Sequence, residues 1–342
     1  MEFRFQSRRS FIQSVSSATL GALAGGCTAR LPFEGTPDLR VGVASDVHVP
    51  IAGEERMRLA FSLFDRQKVD AVMICGDLTH YGMVRELKQF HGIWQRAFPE
   101  NKRSDGVTIV PLIVYGDHDT GSYAHEFNNC EHPCKLHGVD RAAIERELIA
   151  KVGSGKVWKQ VFGEDWDYVQ VKDVKGYRFI LSHYYGTIHQ QPPPNLEATF
   201  SAAVAGIPSG RPFFFVQHRV YPNTVEAYPW CSEWWCADCD ASRKLLSRHR
   251  NAVAICGHAH SNLLNERNFW RGEFTAVEVP SLSQLAYPRT SGIDRSKADE
   301  TSAQCLILNV WPDRVSFERW DARQDRKIAG DWERRIGEIE QG

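Results

Sequence analysis

Five short clusters of histidine and aspartate punctuate this 342-residue chain: Asp46-Val47-His48, Gly76-Asp77, Gly116-Asp117-His118-Asp119, Gln217-His218 and Gly257-His258-Ala259-His260. Their donors are carboxylate oxygens and imidazole nitrogens. Such a set suits hard or borderline metals such as Fe, Zn or Mn. Each cluster alone says little. Gly-Asp after a strand is a common turn, and a lone His is commonly a satisfied polar residue. Five in succession, each at the end of an apolar run, point to one metal site assembled from distant segments.

The apolar runs cover residues 41–45, 71–75, 107–115, 212–216 and 252–256. If they lie side by side in one sheet, their C-terminal ends share an edge, which is where open α/β sheets place ligands. Between them, residues 54–67 have helical spacing, with Met57, Leu59, Ala60, Leu63 and Phe64 available for a buried face. Residues 83–97 form the next predicted helix. This alternation implies parallel strand–helix–strand units. Residues 120–163 read as an insertion with a helix at about 141–151. Short strands follow at 168–172, 177–181 and 213–216, then a helix at 241–250. Strands at 274–279, 305–310 and 314–320, expected to pair antiparallel, end the fold. Two stacked mixed sheets flanked by helices account for this order. Residues 36–322 are expected to be one domain, and residues 323–342 a polar tail.

The motif order Asp-x-His, Gly-Asp, Gly-(Asn)-His-Asp, His, Gly-His-x-His resembles the calcineurin-like metallophosphoesterase superfamily, from about Arg40 to about Ser283. The resemblance implies an α/β fold, a four-layer α/β/β/α sandwich of two mixed β-sheets flanked by helices. It also implies a binuclear metal centre that hydrolyses phosphate esters. Asp46, His48 and His260 would hold one metal, and Asp77 would bridge both. Asp117, His218 and His258 would complete the second. His118 would face the leaving-group oxygen, with Asp119 orienting it. In that chemistry two metals, about 3.5–4 Å apart, neutralise the anionic ester and acidify a bridging water whose hydroxide attacks phosphorus. General acid catalysis by His118 would add about 10²–10⁴-fold.

One position departs from the pattern. Asp117 stands where Asn is usual. It adds a negative charge, so three ligand carboxylates against two divalent ions leave one positive charge rather than two. A trivalent ion or a protonated Asp117 would restore the balance. The alternative is neutral drift to an isosteric ligand.

The N-terminus carries a second signal. Ser7-Arg8-Arg9-Ser10-Phe11-Ile12 precedes a mildly apolar stretch, which resembles a bacterial twin-arginine export signal spanning residues 1–30. Ala22-Leu23-Ala24 fits a cleavage site. Alternatively, Leu23-Ala24-Gly25-Gly26-Cys27 resembles a lipobox, which would lipidate Cys27. Either reading places the protein in the periplasm or cell envelope; under the second, lipidated Cys27 is its one expected membrane attachment. Formal net charge is −1 and no long basic run occurs, so nothing argues for a nucleic-acid partner. Of nine cysteines, Cys75, Cys256 and Cys305 lie in apolar runs and read as buried hydrophobes. Cys130, Cys134, Cys231, Cys236 and Cys239 fall in loops, where export favours disulfides. A structural zinc is the rival reading, although the spacing completes no four-ligand pattern.

Several further residues border the motifs. His80 and Tyr81 follow Asp77 closely, and His80 is a candidate for substrate binding, with a surface turn as the alternative. Having His rather than Tyr three residues after Asp77 departs from the purple acid phosphatase branch, which uses a tyrosinate there. His183 follows a strand but matches no ligand motif, and reads as structural. Tyr221, Tyr228, Trp230, Trp234 and Trp235 form an aromatic loop, either the core of that loop or a stacking surface. The expected activity is hydrolysis of phosphate mono- or diesters, with a small-molecule ester as substrate. The rivals are a metallohydrolase of phospholipid head groups or pyrophosphate bonds, and a catalytically dead, metal-stabilised binding protein.

Overall fold

Strands buried on both faces form the centre of the fold. In β1 (Leu39–Ala44), β2 (Ala71–Cys75) and β3 (Val110–Val114), most side chains are buried. Helices α1 (Glu54–Arg66) and α2 (Val84–Ala97) connect them, so they pair in parallel. The computed structural model describes residues 35–50, 54–120, 138, 140–186, 191–225, 237–289, 292–299 and 301–336, without the side chains of 237–239, 286–289 and 292–299. The export signal, Cys27, the five loop cysteines and residues Tyr228, Trp230, Trp234 and Trp235 therefore lie outside the described residues or their described side chains.

After β3 come three short helices, α3 (Arg141–Glu147), α4 (Ile149–Val152) and α5 (Ser154–Phe162). Next are β4 (Val169–Val174), β5 (Tyr177–Ser182), α6 (Leu196–Val204), β6 (Phe213–Val216), α7 (Ala237–Leu246) and β7 (Ala252–Cys256). Strands β8 (Phe269–Arg271), β9 (Thr275–Glu278), β10 (Leu285–Arg289) and β11 (Gly292–Asp299) follow. The chain closes with β12 (Gln304–Trp311), β13 (Arg314–Asp321), β14 (Arg326–Lys327) and β15 (Trp332–Arg335).

Two mixed sheets result. One has the order β14-β13-β12-β1-β2-β3, with β15 also on β13. The other has the order β4-β5-β6-β7-β9-β8. In the first, the parallel strands β1-β2-β3 form one end and the antiparallel strands the other; in the second, parallel strands occupy the middle, with antiparallel β4 and β8 at the edges.

Period-two alternation sorts the side chains into three cores. Val41, Val43, Ala71, Met73, Leu112 and Val114 of the first sheet meet Phe179, Leu181, Phe214, Val216, Val253 and Ile255 of the second. The opposite face of the first sheet, with Val72 and Ile74, packs under α1, α2 and α5 through Phe61, Phe64, Phe90, Trp94 and Trp158. The opposite face of the second, with Phe213, Phe215 and Ala254, packs under α6 and α7 through Leu196, Phe200, Leu245 and Leu246. This is the expected α/β/β/α order. No described helix is long and apolar enough to cross a membrane.

Four elements differ from the sequence expectation. The motif-bearing strands belong to two sheets rather than one. The helix expected at 141–151 is broken at Leu148, whose extended backbone (φ −66°, ψ 128°) bridges Met83. Helices α5 and α6 were not expected; α5 buries Val157, Trp158 and Val161 on one face. Within the expected polar tail, Arg326–Lys327 and Trp332–Arg335 form strands on β13. Trp332 is buried against the Phe269 ring, stacked at 5.6 Å. One aromatic anchor among charged neighbours suffices for an edge strand, but it leaves only a weak alternating pattern to read.

Candidate metal centre

The five motifs converge where the two sheets meet. The turn after β1 supplies Asp46 and His48, the turn after β2 supplies Asp77, and the turn after β3 supplies Asp117 and His118. From the second sheet come His218, after β6, and His258 and His260, after β7. Backbone hydrogen bonds lock these turns together. Asp46 N–H donates to the Gly76 carbonyl (3.0 Å), His48 N–H to that of Asp77 (2.9 Å), and Gly257 N–H to that of His218 (2.8 Å). Asp46 also joins the sheets, since its Oδ2 accepts from the backbone N–H of His258 at 3.0 Å.

The turns are sharp. Asp46, His48, Asp77, His258 and His260 all have left-handed backbone, with φ between 49° and 76°. Such conformations are uncommon outside glycine and concentrate at functional sites, where surrounding structure must hold them. Here they fold each side chain back over the strand ends. Two glycines make room. A Cβ on Gly116 would lie 2.1 Å from Asp77 Oδ1, and one on Gly257 would lie 2.6 Å from Asp46 Oδ2.

The donor atoms form two principal groups. Asp46, His48 and His260 make the first; Asp77, Asp117, His218 and His258 make the second. Nε2 of His260 is 3.2 Å from Asp46 Oδ1 and 3.2 Å from Nε2 of His48. Nε2 of His218 is 3.0 Å from Asp117 Oδ1 and 3.2 Å from Asp77 Oδ2, and His258 presents Nδ1 3.3 Å from Nε2 of His218. Asp77 Oδ2 is also 3.6 Å from Nε2 of His48, so it lies between the groups. All seven resemblance-implied ligands are thus together.

Their chemistry fits cations. Three buried carboxylates crowd one point, and ring nitrogens face one another. Among the described residues, His48 Nδ1 is buried with no hydrogen-bond partner. Burial, opposed by His218 and reinforced by Asp117 and Asp46, pushes the Asp77 carboxyl well above its usual range. Burial also lowers His48 and holds His258 near 4, which keeps both imidazoles neutral, as a metal ligand must be. The Nδ1–H of His218 donates to the Cys75 carbonyl at 2.7 Å, which fixes Nε2 toward the site.

His118 stands between Asp77 and His48, with its ring centre 4.5 Å from that of His48. Its Nδ1–H donates to the carbonyl of His80 (2.7 Å), leaving Nε2 3.9 Å from Asp77 Oδ2. Burial lowers its pKa, with Asp117 and the His80 carbonyl opposing. Asp119 does not do the orienting that the resemblance implies. Its carboxylate accepts from the N–H groups of Leu78 (3.2 Å), Thr79 (2.8 Å) and Gly116 (2.8 Å), and from the Thr79 hydroxyl (2.9 Å). It fastens the turn after β2 to the turn after β3. Burial raises it to about 6 against these donors.

His80 does reach the site. Its ring centre is 5.4 Å from that of His48 and 5.2 Å from that of His118, and these three histidines form a further group of close donors. Burial and then the His118 charge lower it to about 3. Tyr81 turns away, into a small cluster with Met83, Ile144 and Leu148. His183 is structural. Its Nδ1 accepts from Tyr115 N–H at 3.1 Å, and its ring lies 4.8 Å from Trp158 and 4.3 Å from Trp166. Tyr221 is buried, with its hydroxyl on the carbonyls of Phe215 and Ile255.

One charged residue escaped the sequence reading. Arg219, next to His218, is buried and donates from Nη2 to Asp117 Oδ2 at 3.0 Å. Burial works against ionising Asp117, but Arg219 and then His258 outweigh it and hold the carboxyl well below its usual range. Asp117 is therefore a carboxylate, not the protonated acid that would have restored the charge balance. An Arg beside a ligand His, with an extra carboxylate elsewhere, was the available signal.

Comparison with solved structures shows the same fold. A dimetal phosphatase from Danio rerio superposes with a TM-score of 0.51 at 14% identity, covering 88% of this chain and 100% of that one. Purple acid phosphatase PPD1 from yellow lupin (Lupinus luteus) seeds gives 0.53 at 14% identity, covering 86% of this chain and 53% of that one. No curated protein matches by sequence. Residues 39–262 match the calcineurin-like phosphoesterase family, and with more than half of its length in that match, the chain belongs to this family.

Proposed function

We propose that the chain hydrolyses phosphate mono- or diesters at a two-metal centre, with Asp46, His48 and His260 as one ligand set and Asp117, His218 and His258 as the other. Asp77 serves both. The observation that supports this most is the position of Asp77 Oδ2, within 3.6 Å of His48 Nε2 on one side and 3.2 Å of His218 Nε2 on the other. The chemistry that a bound metal pair supplies is charge neutralisation at phosphorus and a more acidic water. Iron, manganese and zinc all suit the donor set.

The chain's own groups do the rest. His118 keeps Nδ1–H on the His80 carbonyl and presents Nε2 toward Asp77, the nitrogen that would carry a proton to the leaving oxygen. Burial lowers its pKa, which favours the neutral ring before substrate binds. An anionic ester arriving beside it favours the imidazolium, so proton uptake accompanies binding. His80, neutral at the rim, offers a donor to a phosphate oxygen. Asp119 maintains the separation of Asp77 and His118 by tying their turns together.

The test is elemental analysis of the purified protein alongside a panel of chromogenic mono- and diesters. Two metals per chain with ester hydrolysis is the expected result. Two metals without turnover on any ester would favour the metal-stabilised binding protein instead. Export by the twin-arginine route, with or without lipidation at Cys27, remains part of the proposal.

A further inference from the structure

Asp117 uses its two oxygens for different purposes. Oδ1 faces the second donor group, 3.0 Å from His218 Nε2 and 3.4 Å from His258 Nδ1. Oδ2 points the other way, into the Arg219 guanidinium at 3.0 Å. Both side chains are buried, with 1% and 6% of their surface exposed. Arg219 cannot lose its proton under ordinary conditions, so its charge is permanent. Its place is fixed from the same turn that delivers His218. Gln217 Nε2 donates to the Arg219 carbonyl at 2.8 Å, and the guanidinium lies 5.2 Å from the Tyr184 ring centre.

The buried carboxylates Asp46, Asp77 and Asp117 would leave a divalent pair with one net positive charge. Arg219 restores the second. We propose that Arg219 is a built-in counter-charge that sets the ionic preference of the second metal position and restrains Asp117 to one-oxygen ligation. It is a positioning residue acting through Asp117. The inference rests on the two-metal reading above, but not on turnover. It also removes the need for a trivalent ion, which the carboxylate count alone would favour.

The test is a double-mutant cycle on the intact chain, read as the ratio of gallium(III) to zinc(II) affinity at the second position. Gallium is presented from a nitrilotriacetate buffer as a redox-silent trivalent probe. Arg219→Gln removes a positive charge and should raise the ratio by about ten-fold or more, and Asp117→Asn should lower it by a similar factor. The double variant should return within about three-fold of wild type, because losing one positive and one negative charge leaves the net charge at the site unchanged. Arg219→Lys keeps the charge and should leave the ratio within about three-fold, which controls for misfolding. A purely structural role would weaken both ions together and leave the ratio unmoved. A ratio that does not move, or that moves the same way in both single variants, overturns the proposal. Failure of the enzymatic reading looks different: the cycle would behave as described while wild type hydrolysed no phosphate ester.

Discussion

The Nδ1–H of His118 donates to the backbone carbonyl of His80 at 2.7 Å. A carbonyl can only accept, so this bond fixes the tautomer of His118 and commits Nε2 to the metal side. The residue three positions after Asp77 thereby orients the residue one position after Asp117. His118→Ala should keep both metals and lose about 10²–10⁴-fold in turnover on alkyl esters. On nitrophenyl esters, whose leaving groups need no proton, the loss should be far smaller. Steady-state kinetics on the two ester types, with metal content measured in parallel, check this. Equal losses on both would remove His118 as the acid.

Asp77 lies between the two donor groups, so Asp77→Ala should strip metal from both. His218→Ala should deplete mainly the second, because Nε2 of His218 sits among Asp77, Asp117 and His258. Metal-to-protein ratios after gel filtration distinguish the two variants. Retention of one full equivalent by Asp77→Ala would show that it serves a single site.

Gly116→Ala places a methyl group 2.1 Å from Asp77 Oδ1 and 2.5 Å from the backbone nitrogen of Asp77. The backbone cannot move aside cheaply, so the variant should lose about 1–3 kcal/mol of stability and most of its metal. Gly92→Ala, on α2, meets only the far end of Arg96 at 3.6 Å and should be neutral or gain up to about 1 kcal/mol. Thermal unfolding of the two variants provides the contrast. Full metal binding by Gly116→Ala would contradict the packing described here.

His183 is buried, and burial followed by the Lys172 charge lowers its pKa from 6.5 to about 3. Above pH 6.5 neither folded nor unfolded chain is protonated there. Below it the unfolded chain takes up a proton that the folded chain refuses, so stability falls as pH drops from 6.5 toward 3. By pH 4.5 this amounts to about 2–3 kcal/mol. His183→Gln should be less stable at pH 7 but should lose that much less between pH 7 and 4.5. Urea unfolding of both chelated proteins at the two pH values measures the difference. Parallel pH dependences would mean that His183 is not held neutral.

Export predicts a separate phenotype. Replacing Arg8 and Arg9 together by Lys should leave the precursor in the cytoplasm, because the pair is what the twin-arginine receptor reads. Cell fractionation with an antibody to the mature chain reports the outcome. Periplasmic accumulation at the wild-type level would reject this route.

The sequence alone determined which residues gather into the candidate donor groups, and the layers. Asp46, His48, Asp77, Asp117, His218, His258 and His260 each follow an apolar run, and a strand end is the simplest way to bring such runs to one edge. Strand β2 was legible to the residue, because Ala71–Cys75 is apolar throughout and bounded by Asp70 and Gly76. What only the tertiary structure decided are the contacts between segments with no local pattern in common. Three of the four donors to Asp119 are backbone N–H groups, which every non-proline residue carries, so side-chain spelling could not reveal them. The acceptor for His118 is likewise a backbone carbonyl. The C-terminal strands depend on pairing with β13 and on one buried Trp332, a non-local stabilisation that charged neighbours conceal. Arg219 and Asp117 lie 102 residues apart in sequence. Their charges meet because β3 and β6, in different sheets, end at the same place, and it is burial there that turns an ordinary arginine into a counter-ion.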